Sequence, residues 1–394
     1  MTHFPLHDYF VSCAHGLEAL LADELRTLRC RSVRPQRGGV LFKGTIKDGY
    51  RVCLWSRFGS RVLLTLGEVD ARTADTLYQG ASRIAWEEHV HPNGTIAVDS
   101  VGGNDALRNT QFINVRIKDA IVDRMRQVVK MRPNVDTENP DLRINVAVRQ
   151  NKASIALDLA GEPLHRRRYR IDGVQVTAPM KETLAAALLT WAGWPRIARE
   201  GGPFVDFMCG SGTLPIEAAM MAGDVAPGLL RRKWGFARWL QHDEQAWDVL
   251  MDEAQKRQIK GLESLPPILA SDKDAKSIEI ARRSLRRAEL EKHITLRSAD
   301  LAKITRPDVP TPGLIALNPP YGKRMMETGQ LPELYAYLKD ALHAQWEGYR
   351  LALISSDTDI SRQLGLKPQH AHKVRNGPIE AEILTYFIGK TPSL

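Results

Sequence analysis

Cysteine is scarce in this chain: four residues in 394, Cys13, Cys30, Cys53 and Cys209, none in C-x-x-C spacing. That pattern offers neither a zinc cluster nor a disulfide framework, and it suits a reducing compartment, the cytoplasm. No apolar run approaches the roughly 20 residues a membrane span needs. The first residues, with His3, His7 and Asp8, lack the basic-then-apolar order of a secretion signal. Repeats and low-complexity stretches are absent. The third glycine of a dinucleotide fingerprint is also missing, since Gly210-Ser211-Gly212 is not completed to G-x-G-x-x-G. What remains is a globular composition, 43% hydrophobic, long enough for roughly two or three domains with proper cores.

Charge is the first positive signal. The formal net charge is +9, and residues 1–170 hold 26 Lys+Arg against 19 Asp+Glu, while the remainder is nearly balanced. A basic front half joined to a near-neutral back half suggests that the first binds polyanion and the second does chemistry. In the front half, Tyr9 to Ala14 alternates as a strand, and Leu17, Leu20, Leu21, Leu25 and Leu28 recur at helical spacing. A turn at Gly38-Gly39, a strand over Val40–Phe42 and a helix from Tyr50 to about Arg57 complete a small α+β module. A second unit runs from Ile96–Asp99 through a helix over Phe112–Val129 to strands Arg143–Arg149 and Ser154–Asp158. Ile113, Ile117, Ile121, Met125 and Val128 form an apolar stripe that core packing explains.

The back half carries the chemistry. Phe204 and Val205 lead a short strand to Asp206, and Met208, Cys209, Gly210, Ser211, Gly212 and Thr213 form a turn into a helix. Glycines there let the backbone approach a ligand and present N–H groups to it. A short Gly-x-Gly turn after an acidic strand end fits S-adenosylmethionine, whose amino-acid end needs a few amides and no pyrophosphate cradle. Ile268–Asp272 is a second strand ending in an acid, placed for ribose hydroxyls, and Lys273 follows it. A third strand begins at Ile294 and closes at Asp300, with Leu301 next, near the adenine. The competing use of each carboxylate is a helix N-cap. Leu317-Asn318-Pro319-Pro320-Tyr321 suits capture of an exocyclic amine. The Asn carboxamide and a carbonyl held in the rigid Pro-Pro turn can accept its N–H groups, and the ring can stack on a base. Leu351–Ser356, an Asn376-Gly377 turn and Ala381–Ile388 end a doubly wound parallel sheet with an antiparallel last strand.

Two basic clusters are candidate RNA contacts: Arg166, Arg167, Arg168 and Tyr169, and Arg231, Arg232, Lys233 and Trp234. A charged linker end and an amphipathic helix, respectively, are the bland alternatives.

Asp206–Thr213, Asn318–Tyr321, Ala178–Ala187, Ala226-Pro227-Gly228-Leu229 and Trp234-Gly235-Phe236 together resemble the THUMP-domain methyltransferases that form N2-methylguanosine in bacterial large-subunit ribosomal RNA. The likeness covers nearly the whole chain, from Gly16-Leu17-Glu18 through Asn134-Val135-Asp136 and Asp141-Leu142-Arg143. It implies an α/β chain: a ferredoxin-like segment over residues 1–60, a THUMP RNA-binding domain over 61–165, and a Rossmann-like class I methyltransferase domain over 166–394. It further implies S-adenosylmethionine as cofactor and large-subunit ribosomal RNA or an assembly intermediate as partner. No metal and no membrane are implied. Asn318, Pro319, Pro320 and Tyr321 become the catalytic motif, and Pro179 and Thr183 join the cofactor contacts. Some relatives carry a second, 7-methylguanosine-forming domain downstream. With the chain ending at Leu394, the N2-guanine activity alone is expected. Adenine N6, a tRNA guanine or a protein glutamine amide are rival targets, and an RNA-binding assembly factor with a vestigial fold is the rival class. Two positions depart from the family: Phe207 stands where Pro is usual, and Arg167-Arg168-Tyr169 stands where Arg-Gly-Tyr is usual, so Arg168 replaces the glycine.

Overall fold

The computed structural model describes residues 5–170, 180–300, 304–309, 312–319, 331–356, 359–377 and 379–389. Pro179, Leu301, Pro320 and Tyr321 lie outside them. The chain divides into two compact units. The first comprises 1–13, 21–164 and 231–250, and the second 14–20, 165–230 and 251–394.

The first unit is built on one eight-stranded sheet. Strands β1 (His7–Cys13), β2 (Arg31–Gln36), β3 (Gly39–Gly44) and β4 (Gly59–Asp70) alternate with helices α1 (Glu18–Thr27) and α2 (Ile46–Trp55). Then follow α3 (Ala74–Ser82), β5 (Thr95–Gly103), α4 (Thr110–Val129), β6 (Asn134–Val135), β7 (Leu142–Arg149) and β8 (Lys152–Asp158). Spatial order is β2-β3-β1-β4-β8-β7-β5-β6. Twelve-residue β4 pairs with β1 over its first half and with β8 from Leu63 to Asp70, so one strand serves both modules. The expected boundary at 60/61 falls at its start. Local chemistry sets the helix ends: Thr45 and Asp48 cap α2 reciprocally, and Asn109 accepts the Gln111 and Phe112 amides at the start of α4. On α4, Ile113, Ile117, Ile121 and Met125 are fully buried, but Val128 is 45% exposed, so the expected stripe stops a turn early.

Segment 231–250 packs with this unit, although it lies within the expected catalytic stretch 166–394. Its Phe236 ring lies 4.3 Å from Tyr50, and Trp234 and Trp247 join the same cluster. Gly235 is required there. A Cβ on it would stand 2.2 Å from the Asp158 carbonyl, and Gly161 (φ +72°) faces it. Arg231 is buried and donates to the carbonyls of Pro163 (3.0 Å), Ala160 (2.9 Å) and Glu162 (3.1 Å). The expectation that Arg231 grips RNA is therefore corrected. Its donors saturate backbone acceptors that would otherwise be buried unpaired.

The second unit contains α5 (Glu182–Trp191), α6 (Trp194–Arg199), β9 (Phe204–Asp206), α7 (Thr213–Ala222), α8 (Glu244–Leu262) from Met251 onward, β10 (Ile268–Asp272), α9 (Ala275–Arg287) and β11 (Thr295–Ser298). It continues with β12 (Leu314–Leu317), α10 (Leu331–Gln345), β13 (Arg350–Ser355), α11 (Ile360–Leu364), β14 (His370–Asn376) and β15 (Ile379–Phe387). Order is β11-β10-β9-β12-β13-β15-β14, with β9 to β13 parallel and β15 antiparallel to both neighbours. The last strand is antiparallel as expected: β15 inserts between β13 and β14, and Gly377 at φ +64° makes the turn. Phe207, buried, sets its ring edge-on to Trp346 at 5.2 Å, within a cluster that includes Ile315, Leu317, Leu351 and Tyr349. It fills core volume that a proline would leave open.

Arg168 answers the second departure. It holds φ +75°, so the turn that glycine would make is kept by a residue with a Cβ. Such a conformation costs an L-residue about 1–2 kcal/mol, partly offset in a glycine variant by its greater unfolded entropy. Arg168→Gly should therefore raise stability by about 0.5–1 kcal/mol in urea unfolding; an unchanged or lower midpoint would refute the strain.

Candidate active site

The site is assembled at the carboxyl ends of four adjacent parallel strands. Chain order runs β9, β10, β11 in one direction and then reverses, placing β12 on the other side of β9. A crevice opens at such a switch point. Asp206 ends β9, Asp272 ends β10, Asp300 follows β11 and Asn318 follows β12 directly. Register locks them: Ala270 lies opposite Asp206, and Asp272 opposite Ser298.

Asp206 is fully buried, its Oδ1 accepts the Met208 amide at 2.9 Å, and its Oδ2 has no partner among the described residues. Burial pushes its pKa well above the usual carboxylate range; Asp272 adds to the shift and the Met208 amide opposes it. The turn that follows is tied to β10: Cys209 donates its amide to the Ser271 carbonyl at 2.9 Å, and Gly210 donates to Asp272 Oδ2 at 3.0 Å. Gly210 (φ +51°) faces open space where a side chain would project, and Gly212 (φ +83°) precedes α7 without a side-chain cap. Cys209 is buried, and burial raises its thiol far above the ordinary range, which leaves it a packing residue rather than a nucleophile.

Asp272 is not a helix cap. Asp274 fills that position, accepting the Lys276 and Ser277 amides, while Asp272 Oδ1 accepts the Asp274 amide at 2.9 Å. Each Asp272 oxygen keeps a second lone pair for a ligand hydroxyl. Asp300 is exposed and accepts the Tyr337 hydroxyl at 2.6 Å; Lys273 is exposed; Thr183 is buried in the first turn of α5. Asn318 is half-buried with its Oδ1 buried and unanswered among the described residues, and Pro319 is buried behind it. Two unsatisfied buried acceptors and an open glycine turn fit a ligand that brings a cationic amine and N–H donors. No group of three potential metal ligands occurs among the described residues.

The basic run before the catalytic half divides. Arg166 and Arg168 are exposed, but Arg167 and Tyr169 are fully buried, so the expected stacking and phosphate contacts of these two are corrected. Tyr169 donates to Glu217 Oε1 on α7 at 3.0 Å, and Arg167 Nε lies 3.5 Å from the same oxygen. In the other cluster Arg232 and Lys233 are exposed and Trp234 half-buried, with Arg231 over its ring at 4.7 Å. Sequence reasoning gave no role to Glu182 and Glu217, because an ion pair between distant residues leaves no local pattern.

A model of the RMKL-like methyltransferase domain matches residues 167–384. The chain belongs to the RMKL-like methyltransferase family. A THUMP domain matches 71–158, and an RlmL ferredoxin-like domain matches 8–63. The family is S-adenosylmethionine-dependent. The chain is 42% identical over 384 residues to a ribosomal RNA large subunit methyltransferase K/L from Syntrophotalea carbinolica, covering 97% of this chain and 54% of that one. To a protein of the same name from Magnetococcus marinus it is 45% identical, covering 95% and 52%. It spans about half the length of these curated relatives. Among solved structures, a candidate methyltransferase complexed with S-adenosylhomocysteine superposes with TM-score 0.86 at 28% identity, covering 99% of this chain and 100% of that one. A predicted N6-adenine-specific DNA methylase from Listeria monocytogenes does so with TM-score 0.85 at 26% identity, covering 97% and 96%.

Asp272→Ala should weaken S-adenosylmethionine binding by about 1–3 kcal/mol, since ligand hydroxyls and the Gly210 amide lose their acceptor together; calorimetry reading wild-type affinity in a folded variant would remove Asp272 from the site. His165 gives a pH prediction. Burial, with Lys181 and nearby arginines adding, lowers its pKa from 6.5 to about 4. The unfolded chain thus takes up this proton first. His165 should cost no stability above pH 6.5 and progressively destabilise as pH falls toward 4. His165→Gln should flatten that part of the stability profile, and an identical profile would contradict the shift.

Proposed function

We propose that this chain methylates the exocyclic N2 of a guanine in large-subunit ribosomal RNA, using S-adenosylmethionine. The observation that carries the reading is Asn318: its amide oxygen is buried with no partner among the described residues, and it is set directly after β12 across the switch point from Asp206. The cofactor, when bound, supplies an electrophilic methyl group on a sulfonium. Asp206 would offer Oδ2 to its ammonium, the glycine turn would let the backbone close on it, and Asp272 would take its ribose hydroxyls.

Asn318 does the work on the substrate side. A guanine amine is a poor nucleophile because its lone pair is delocalised into the ring. Oδ1 accepting an amine N–H favours a tetrahedral nitrogen and stabilises the positive charge that grows on it during attack. Pro319 stiffens the segment and removes a competing donor. Pro320, whose carbonyl is a second proposed amine acceptor, and Tyr321, the proposed base-stacking ring, complete the motif. The target base must leave its stack, at a cost of roughly a few kcal/mol if paired. Attack is direct and in line, so positioning and electrostatics provide most of the acceleration.

Support for an RNA substrate comes from the basic front sequence, the THUMP match and the names of the relatives. We assign the ferredoxin-like module to 1–60, the RNA-binding domain to 61–165 and the catalytic domain to 166–394. Exposed Arg166, Arg168, Arg232 and Lys233 are the proposed phosphate contacts, and the cytoplasm the proposed location. No described helix is long and apolar enough to cross a membrane. Adenine N6 is kept as a second reading because the Listeria neighbour is named for it.

Asn318→Ala should lower single-turnover methylation by on the order of 10²–10³ while cofactor affinity stays nearly constant, as for one lost transition-state hydrogen bond. Nucleoside analysis of the RNA product should show N2-methylguanosine. N6-methyladenosine instead would select the second reading, and a wild-type rate in the variant would overturn the role of Asn318.

A further inference from the structure

We propose that Arg170 is the positioning residue of the cofactor turn, setting the rotation of α7 through Thr213 without touching the cofactor itself. The inference rests on the reading of the 206–213 turn as the S-adenosylmethionine site.

Within the turn, Gly212 donates its amide to the Cys209 carbonyl at 2.8 Å and Ser211 Oγ lies 3.4 Å from Thr213 Oγ1, but the glycines add no side-chain support. Gly210 and Gly212 carry no side chains, and α7 starts with no side-chain cap at Gly212. Its first residue is held from outside. Arg170 donates from Nη2 to Thr213 Oγ1 at 3.0 Å and to the Met180 carbonyl, and its Nε pairs with Glu182 Oε1 at 2.9 Å. Its own carbonyl accepts from Arg287, the last residue of α9, at 2.7 Å. One residue thus joins the starts of α5 and α7 to the end of α9. Residues just before it grip the same helix: Tyr169 and Arg167 both reach Glu217. Thr213 and Glu217 stand four apart and so share one face of α7. Contacts at both, one turn apart, fix the helix against rotation about its axis.

The magnitude matters because a helical backbone lies about 2.3 Å from its axis, so a rotation of about 10° moves the first-turn amides by roughly 0.4 Å. Binding groups need to be held to about 0.5 Å. A small rotation would use most of that tolerance. Arginine suits the task because its planar fork can serve several acceptors at fixed angles, whereas a lysine is a point charge on a flexible stem.

The test is calorimetric S-adenosylmethionine binding by the full chain, with methylation kinetics alongside. Arg170→Ala should weaken cofactor binding at least tenfold, with KM for S-adenosylmethionine rising and KM for RNA unchanged. Arg170→Lys keeps a cation opposite Glu182, so it folds even if the alanine variant does not, and should lose several-fold. Combined with Thr213→Val, the Arg170→Lys loss should be less than additive, because both changes break the same contact. A purely structural Arg170 would lower the melting midpoint of the variants while leaving cofactor affinity at the wild-type value, and that result would overturn the proposal alone. Additive losses would overturn the route through Thr213. Failure of the wild-type chain to bind S-adenosylmethionine would overturn the cofactor reading and this proposal with it.

Discussion

The reversal of strand order beside β9 is the constraint on which the candidate site depends. Parallel strands all end on the same side, and neighbours lie about 4.8 Å apart, so residues that end adjacent strands are brought together whatever their separation in the chain. Here that rule joins Asp206 to Asp272 on one side and to Asn318 on the other. The connections leave the sheet in opposite directions at that point, which opens space for a ligand where polar groups converge. Both Asp206 and Asn318 present a buried oxygen with no described partner. A site of this kind is built at some cost to stability, because a buried unpaired acceptor loses about 1–3 kcal/mol of hydration.

The surrounding structure offsets that cost by tying the turn down. Cys209 and Gly210 bond to β10, and Phe207 anchors the strand end against Trp346 in the core. Arg170 and the buried Arg167–Tyr169–Glu217 group hold α7 from the far side. In the other unit, β4 unifies two sequence modules in a single sheet, and Arg231 reaches three carbonyls around Ala160–Pro163. In both places arginine acts as internal scaffolding, a use that its frequency in nucleic-acid-binding sequences disguises.

Much was legible beforehand because it is local. The glycine turn after an acidic strand end, the Ile268–Asp272 strand and the Asn376-Gly377 turn each depend on a few consecutive residues whose backbone preferences agree. The α4 stripe was readable through Met125, where periodicity and burial coincide, and failed at Val128, which is 45% exposed. Less visible was the place of β15, since a strand's neighbours are chosen by the whole sheet and not by the strand.

By itself, then, the sequence determined which residues could make turns, strands and amine-accepting groups, and its resemblance to a family supplied their grouping. Tertiary structure alone decided which charges face water. Arg166 and Arg167 are adjacent and chemically identical, yet one is exposed and the other fully buried against Glu217, fifty residues on. Arg231 and Arg232 divide in the same way. The reason is that desolvating a guanidinium is tolerated only where carboxylates or carbonyls are already in place to receive it, and those acceptors come from distant parts of the chain that only folding brings near.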